Sequence, residues 1–232
     1  MQEVTVTLLC IAATLSAYIV IRKLYVRYNH PLLNVVVLSA AVIIALLLMF
    51  DISYAEYGPA KDIMTLLLGP ATVGLAVPLY RYRNLLRQAA GIIVGSVAAG
   101  ALVAMTSAAL ISEFGGLPQD VVVSIIPKGV SIPFAVEIAE MYGGIPALAA
   151  AFVVATGTLG SLLGVWTLDR FKIRAPLARG LALGTVSHAQ GTAVALMEGE
   201  LQGAMAGLAM ILAGIITALF SPLIVRLLGL FS

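Results

Sequence analysis

Seven long apolar blocks, separated by short clusters of charge, glycine and proline, organise this chain: residues 4–21, 32–50, 63–80, 85–111, 145–168, 175–197 and 203–231. About 20 apolar residues cross the hydrocarbon core of a bilayer, so each block predicts a membrane helix. Residues 85–111 make a long span, expected to tilt. Two blocks are interrupted. Gly69-Pro70 breaks the third, which also carries Pro78, and the polar run GTVSHAQGT breaks the sixth.

An eighth segment, residues 121–144, is apolar on both sides of Pro127, Lys128, Gly129 and Pro133. Proline lacks the amide donor and glycine disfavours continuation, so a helix entering from either side stops near Lys128. Broken backbone at membrane depth is tolerated only where protein or a water-filled cavity surrounds it. A lysine there marks a functional site, or else a kink whose charge is paired or snorkels to a headgroup.

Composition changes this picture little. Hydrophobic residues make 61% of the 232 and charged ones 10%, with mean hydropathy +1.08, the profile of an integral membrane protein and not of a soluble domain. We expect one integral membrane domain over residues 1–232. The lone Cys10 excludes an internal disulfide. The N-terminus has no basic n-region and no small-residue cleavage site, so the first block reads as a retained span.

Charge sets the orientation. Arg22, Lys23, Arg27, Arg81, Arg83, Arg87, Arg170, Lys172, Arg174, Arg179 and Arg226 fall in turns that can share one side, which the positive-inside rule makes cytoplasmic. The reading is a multi-pass membrane protein, N-terminus outside and C-terminus cytoplasmic. For Arg170 to Arg174 to lie inside, residues 121–144 must enter from outside and return outside. They are expected to form a re-entrant hairpin with Lys128 at its tip.

The same count gives two triplets of matching kind and opposite direction, residues 32–111 and 145–231. That pattern predicts an inverted repeat of the kind found in secondary transporters. Gly91 and Gly95 match Gly203 and Gly207, and Gly160 with Gly164 adds a third small-xxx-small pair that lets membrane helices approach. Glycine-rich packing without a repeat is the alternative. The fold class expected is therefore an all-α polytopic membrane protein with about seven spans, a re-entrant hairpin, broken helices and an inverted repeat.

Half-helices that begin inside a membrane aim free amides and a positive dipole end into the cavity, which favours an anion. Ser131, Thr192 and Thr72 stand where N-caps are expected. With Lys128 and Gly129 they point to a small carboxylate as ligand. Ser187, His188 and Gln190 form a second polar cluster. His188 either bonds the substrate, carries a proton, or is a buried histidine satisfied by backbone. Glu137 is a counter-ion for Lys128 or a second proton carrier. Ser187 and His188 are adjacent in sequence, poor geometry for a nucleophile and its base. No metal-ligand spacing occurs. No enzyme activity, cofactor, metal or nucleic-acid partner is expected.

Three stretches, LLLGPATVGLAVPLY, SIIPKGVSIPFAVEIAEMYGGIPAL and RGLALGTVSHAQGTAVALMEGE, closely resemble the LrgB/CidB family of bacterial membrane proteins, over essentially the whole chain. The resemblance implies antiholin-like regulation of murein hydrolase export and cell lysis, alongside a small holin-like LrgA/CidA partner. Relatives include the plastid glycolate/glycerate translocator, and bacterial members are linked to pyruvate uptake. Against the family's pattern, Gly129 replaces a serine, Ser131 and Ile132 replace two threonines, and Val194 stands where an arginine is common. Lys128 and His188 match it.

Two functions follow as expectations. One is a proton-coupled secondary transporter of small 2-oxo or 2-hydroxy monocarboxylates, such as pyruvate or glycolate, working by alternating access. The other is a holin-like pore or lysis regulator acting with a small membrane partner. Breaks at membrane depth favour the first, since a simple oligomeric pore has no need of them. A homodimer is the expected assembly.

Overall fold

The computed structural model describes residues 2–28, 35–67, 70, 73–74, 76–227 and 229. Every regular element among them is a helix: α1 (Gln2–Tyr28), α2 (Val35–Met49), α3 (Tyr54–Leu66), α4 (Ala76–Arg81), α5 (Arg83–Phe114), α6 (Gln119–Ile125), α7 (Ile132–Met141), α8 (Pro146–Arg170), α9 (Pro176–Glu198) and α10 (Glu200–Leu227). Among the described residues, four helices are long and apolar enough to cross a membrane: α1, α5, α8 and α10. The shorter apolar α2 has 15 residues. The predicted break at Gly69-Pro70 lies largely outside the described residues.

The chain divides into two compact units, Met1–Ala76 and Val77–Ser232. In the first, α3 starts where Ser53 caps it. The Ser53 amide donates to Glu56 Oε2 at 2.8 Å, and the Glu56 amide donates to Ser53 Oγ at 3.3 Å, a reciprocal capping box. These bonds, the backbone one foremost, hold Glu56 below the usual carboxylate range. Thr14 of α1 and Tyr57 of α3 join their hydroxyls at 3.3 Å.

In the second unit α5 and α10 run parallel. Ile93, Val97 and Ala101 pack in one cluster with Ala204, Met205, Ala209 and Ala213. Further along both helices, Met105 and Ala109 pack with Ile224 and Val225. At the start of the pair, Arg81 is 2.8 Å from Glu200. Lipid is as apolar as leucine, so close approach through small residues holds such helices together. Between α9 and α10 that approach is extreme: a Cβ on Gly184 would lie 2.6 Å from Ala206 Cα, and one on Gly180 would lie 2.7 Å from Met205 Cβ.

Residues 119–141 double back. Helix α6 stops at Ile125, a turn carries Pro127, Lys128 and Gly129, and α7 leaves from Ser131. The returning chain then meets its own start, where the Ile145 amide donates to Ser124 Oγ at 2.7 Å. Ser124 in turn donates to the Asp120 carbonyl at 2.6 Å. At 1.5 Å per residue the 7 and 10 residues of the two arms reach about 10 and 15 Å, well short of the roughly 30 Å hydrocarbon core.

Residues 175–197, expected to cross as an interrupted span, do something else. Helix α9 has non-helical backbone at His188, φ 40° and ψ −122°. Arg179, on one side of that break, donates to Glu198 on the other, Nε to Oε2 at 2.7 Å and Nη2 to Oε1 at 2.6 Å. In a straight helix residues 19 apart stand about 28 Å apart. The two arms, residues 176–187 and 189–198, therefore fold against each other, and Leu183 shares a core cluster with Val194 and Ala195. The physical reason is the bidentate pair, which is worth making only if both charges leave the apolar region together.

Helix α8 runs between the two hairpins. Its first residues join Ser124 of the first, and near its other end Asp169 accepts from Arg179 Nη1 of the second at 2.7 Å.

Candidate functional site

The turns of the two hairpins meet. A Cβ on Gly129 would lie 3.8 Å from the Thr185 carbonyl oxygen, in the last turn before the break in α9. Val130 packs with Val153 of α8, and the Val153 carbonyl oxygen lies 3.2 Å from His188 Nε2. A carbonyl only accepts, so Nε2 carries the proton and Nδ1 keeps a free lone pair. Lys128, Gly129, Ser187 and His188 are thus gathered at one level of the unit, with the two turns approaching from opposite ends of α8.

Helix α8 makes room for them with glycine. A Cβ at Gly157 would stand 2.6 Å from His188 Cε1 and 3.2 Å from the Gln190 amide carbon, and one at Gly160 would overlap Ser187 Oγ. No larger residue at these two positions leaves space for the polar run of α9.

His188 is 4% and Ser187 1% exposed. Lys128 is half-buried and makes no ion pair among the described residues. Ser131 occupies the N-cap of α7 with extended backbone, φ −68° and ψ 151°, but its side chain makes no capping bond. Thr192 does not cap either: its hydroxyl donates to the His188 carbonyl at 2.9 Å, stitching the second arm to the turn. Glu137 is exposed on α7. It lies in the same hairpin as Lys128, yet no ion pair joins them among the described residues. Thr72 lies outside the described residues.

A family model for LrgB-like proteins matches residues 14–227. The chain belongs to the LrgB-like family. It is 37% identical to the Bacillus subtilis (strain 168) protein YxaC over 98% of this chain and 99% of that one. It is 35% identical to YwbG of the same organism, over 90% and 93%. The holin-like protein CidB of Staphylococcus aureus (strain N315) is 31% identical over 98% of this LrgB-like chain and 99% of its own. No solved structure matches it.

Two features of this LrgB-like protein escaped the reading of its sequence. One is the clasp of Arg179 with Glu198 and Asp169, completed by Arg179 Nη1 donating to the Ile173 carbonyl at 2.9 Å. Its signal was present: opposite charges stand 9 residues before and 10 after His188. The other is the glycine bed of α8, where Gly160 and Gly164 receive Ser187 and Leu183 in place of a separate membrane helix.

Proposed function

We propose that this protein carries small carboxylates across the bacterial inner membrane, and that the meeting of the two hairpin turns is where the anion binds. The observation that carries the reading is Lys128 at a helix break, set against the buried His188 turn. A cation with no ionic partner, close to the free amides that begin two half-helices, suits one negative charge. Two hairpins entering from opposite faces offer a gate for each side, which is what alternating access requires. Pyruvate-like and glycolate-like acids fit the charge and the small space between glycines, and His188 and Glu137 are the candidates for carrying a proton.

On this reading both hairpins are re-entrant, and residues 175–197 no longer count among the crossings. The arginine-rich turn after α8 lies in the cytoplasm, Glu198 and Glu200 lie with it, and α10 carries the C-terminal end outward. Arg226 is then an exception to the positive-inside pattern, and an outside C-terminus replaces the cytoplasmic one. Helix plus hairpin, residues 83–145 and then 146–199, forms the inverted pair that the geometry supports best. A homodimer and a small LrgA/CidA-like membrane partner complete the proposed assembly.

The name of the Staphylococcus aureus relative, holin-like protein CidB, favours a second reading, a pore or lysis regulator acting in murein hydrolase export. It speaks for that role more than for carboxylates. Proteoliposome uptake of labelled pyruvate and glycolate separates the two. Transport predicts saturable uptake that falls at least tenfold in Lys128→Ala and responds to an imposed pH gradient. Leakage of neutral solutes of similar size at the same rate, indifferent to Lys128, supports the pore and overturns transport.

A further inference from the structure

Buried polar atoms without a partner are rare, because each has given up its bond to water for nothing. The turn of the second hairpin holds two, Ser187 Oγ and Gln190 Oε1. Both face the same side of α8. The first meets the Cβ position of Gly160, and the carbon bearing the second lies 3.2 Å from that of Gly157; positions three apart on a helix are neighbours on one face. An amide oxygen can only accept, so what it lacks is a donor or a cation. His188 adds a third acceptor, since Nε2–H is committed to Val153 and Nδ1 is left with its lone pair. The arm that ends at Ser187 also brings its last carbonyls to the turn. Thr185 O faces Gly129 there.

The Gln190 oxygen and the carbonyls can only accept, the Ser187 hydroxyl can accept as well as donate, and all are neutral: Asp169 and Glu198 are held by Arg179. No cluster of acids, histidines and cysteines able to hold a metal occurs among the described residues. A divalent ion without carboxylates is poorly compensated in a buried place, whereas hard neutral oxygens suit a small monovalent cation. A groove of about 400 Å³ reaches Ser187, lined along the second half of α8 from Thr156 to Leu168.

We propose that Ser187 Oγ and Gln190 Oε1, with the carbonyls at the break in α9, form a sodium-ion site. Two side chains that the sequence placed among the anion's ligands are thereby reassigned to a cation, and the anion between the turns keeps Lys128 and the backbone amides. The like charge of Lys128 on the facing turn opposes a lone cation, so its removal tightens cation binding.

Equilibrium binding of ²²Na⁺ to the purified full-length protein, in choline chloride and with no carboxylate present, tests the site without reference to transport. The expected result is saturable binding near one ion per chain. Ser187→Ala and Gln190→Leu each weaken it at least tenfold, while Lys128→Ala keeps or strengthens it. Helical circular dichroism and thermal melting confirm that each variant is folded. Absence of saturable binding by folded wild type overturns the proposal, as does binding that both hairpin variants leave unchanged. Loss of binding in Lys128→Ala alone also overturns it, by placing the ion elsewhere.

Discussion

Glycine at one position can decide whether a polar turn fits beneath a helix. A Cβ at Gly157 would sit 2.6 Å from His188 Cε1, so Gly157→Ala must displace the imidazole that anchors the second turn to Val153. Overpacking of this kind costs about 1–3 kcal/mol, seen as a lowered thermal midpoint together with lost uptake. Gly95→Ala is the contrast. Its Cβ meets no described atom within 4 Å, so helix propensity alone acts and the midpoint is expected to hold or rise. The small-xxx-small spacing was legible for Gly91, Gly95, Gly160 and Gly164 alike, yet only the second pair is closely packed. Spacing reveals that helices can approach, not which ones do.

A helix break becomes a hairpin when something at its base holds the arms together. For residues 121–144 the break was legible because Pro127, Gly129 and Pro133 each oppose a continuous helix. For residues 175–197 the turning point is His188, at a positive φ that a non-glycine residue seldom takes. No proline announced it. What folds the arms is the Arg179 clasp, with the arginine side chain 10% and the Glu198 side chain 14% exposed. Glu198→Ala strips a buried arginine of its bidentate partner and is expected to destabilise the protein by about 3 kcal/mol, read from thermal unfolding in detergent. Cross-linking checks the fold of the element itself. Leu183→Cys with Ala195→Cys, in a Cys10→Ala background, should join through a short thiol reagent. In a straight helix these positions stand about 18 Å apart and would not join.

For the molecule as a whole, charge counting from the sequence located the turns but misjudged one of them. It read α5 and α8 in opposite directions, as the pairs Arg81 with Glu200 and Arg179 with Asp169 imply, then carried α9 across and so reversed α10. The pairs Arg81 with Glu200 and Arg179 with Glu198 bind acids to the very turns where basic residues cluster. Such long-range pairs have no local signature, and the charge rule weighs bases over acids. Single cysteines at Leu117, Arg174 and Leu227, labelled by an impermeant thiol reagent in oriented vesicles, decide the matter. Positions 117 and 227 are expected to react from one side and 174 from the other.

The account rests on two turns meeting from opposite faces around a bound anion. Gly129→Cys with Thr185→Cys, in the Cys10→Ala background, places one thiol on each turn. The account predicts that a short bifunctional thiol reagent joins them within intact membranes, and that joining abolishes the carboxylate uptake that the untreated double variant shows. Failure to join, or joined protein that still takes up carboxylate at the original rate, would contradict it.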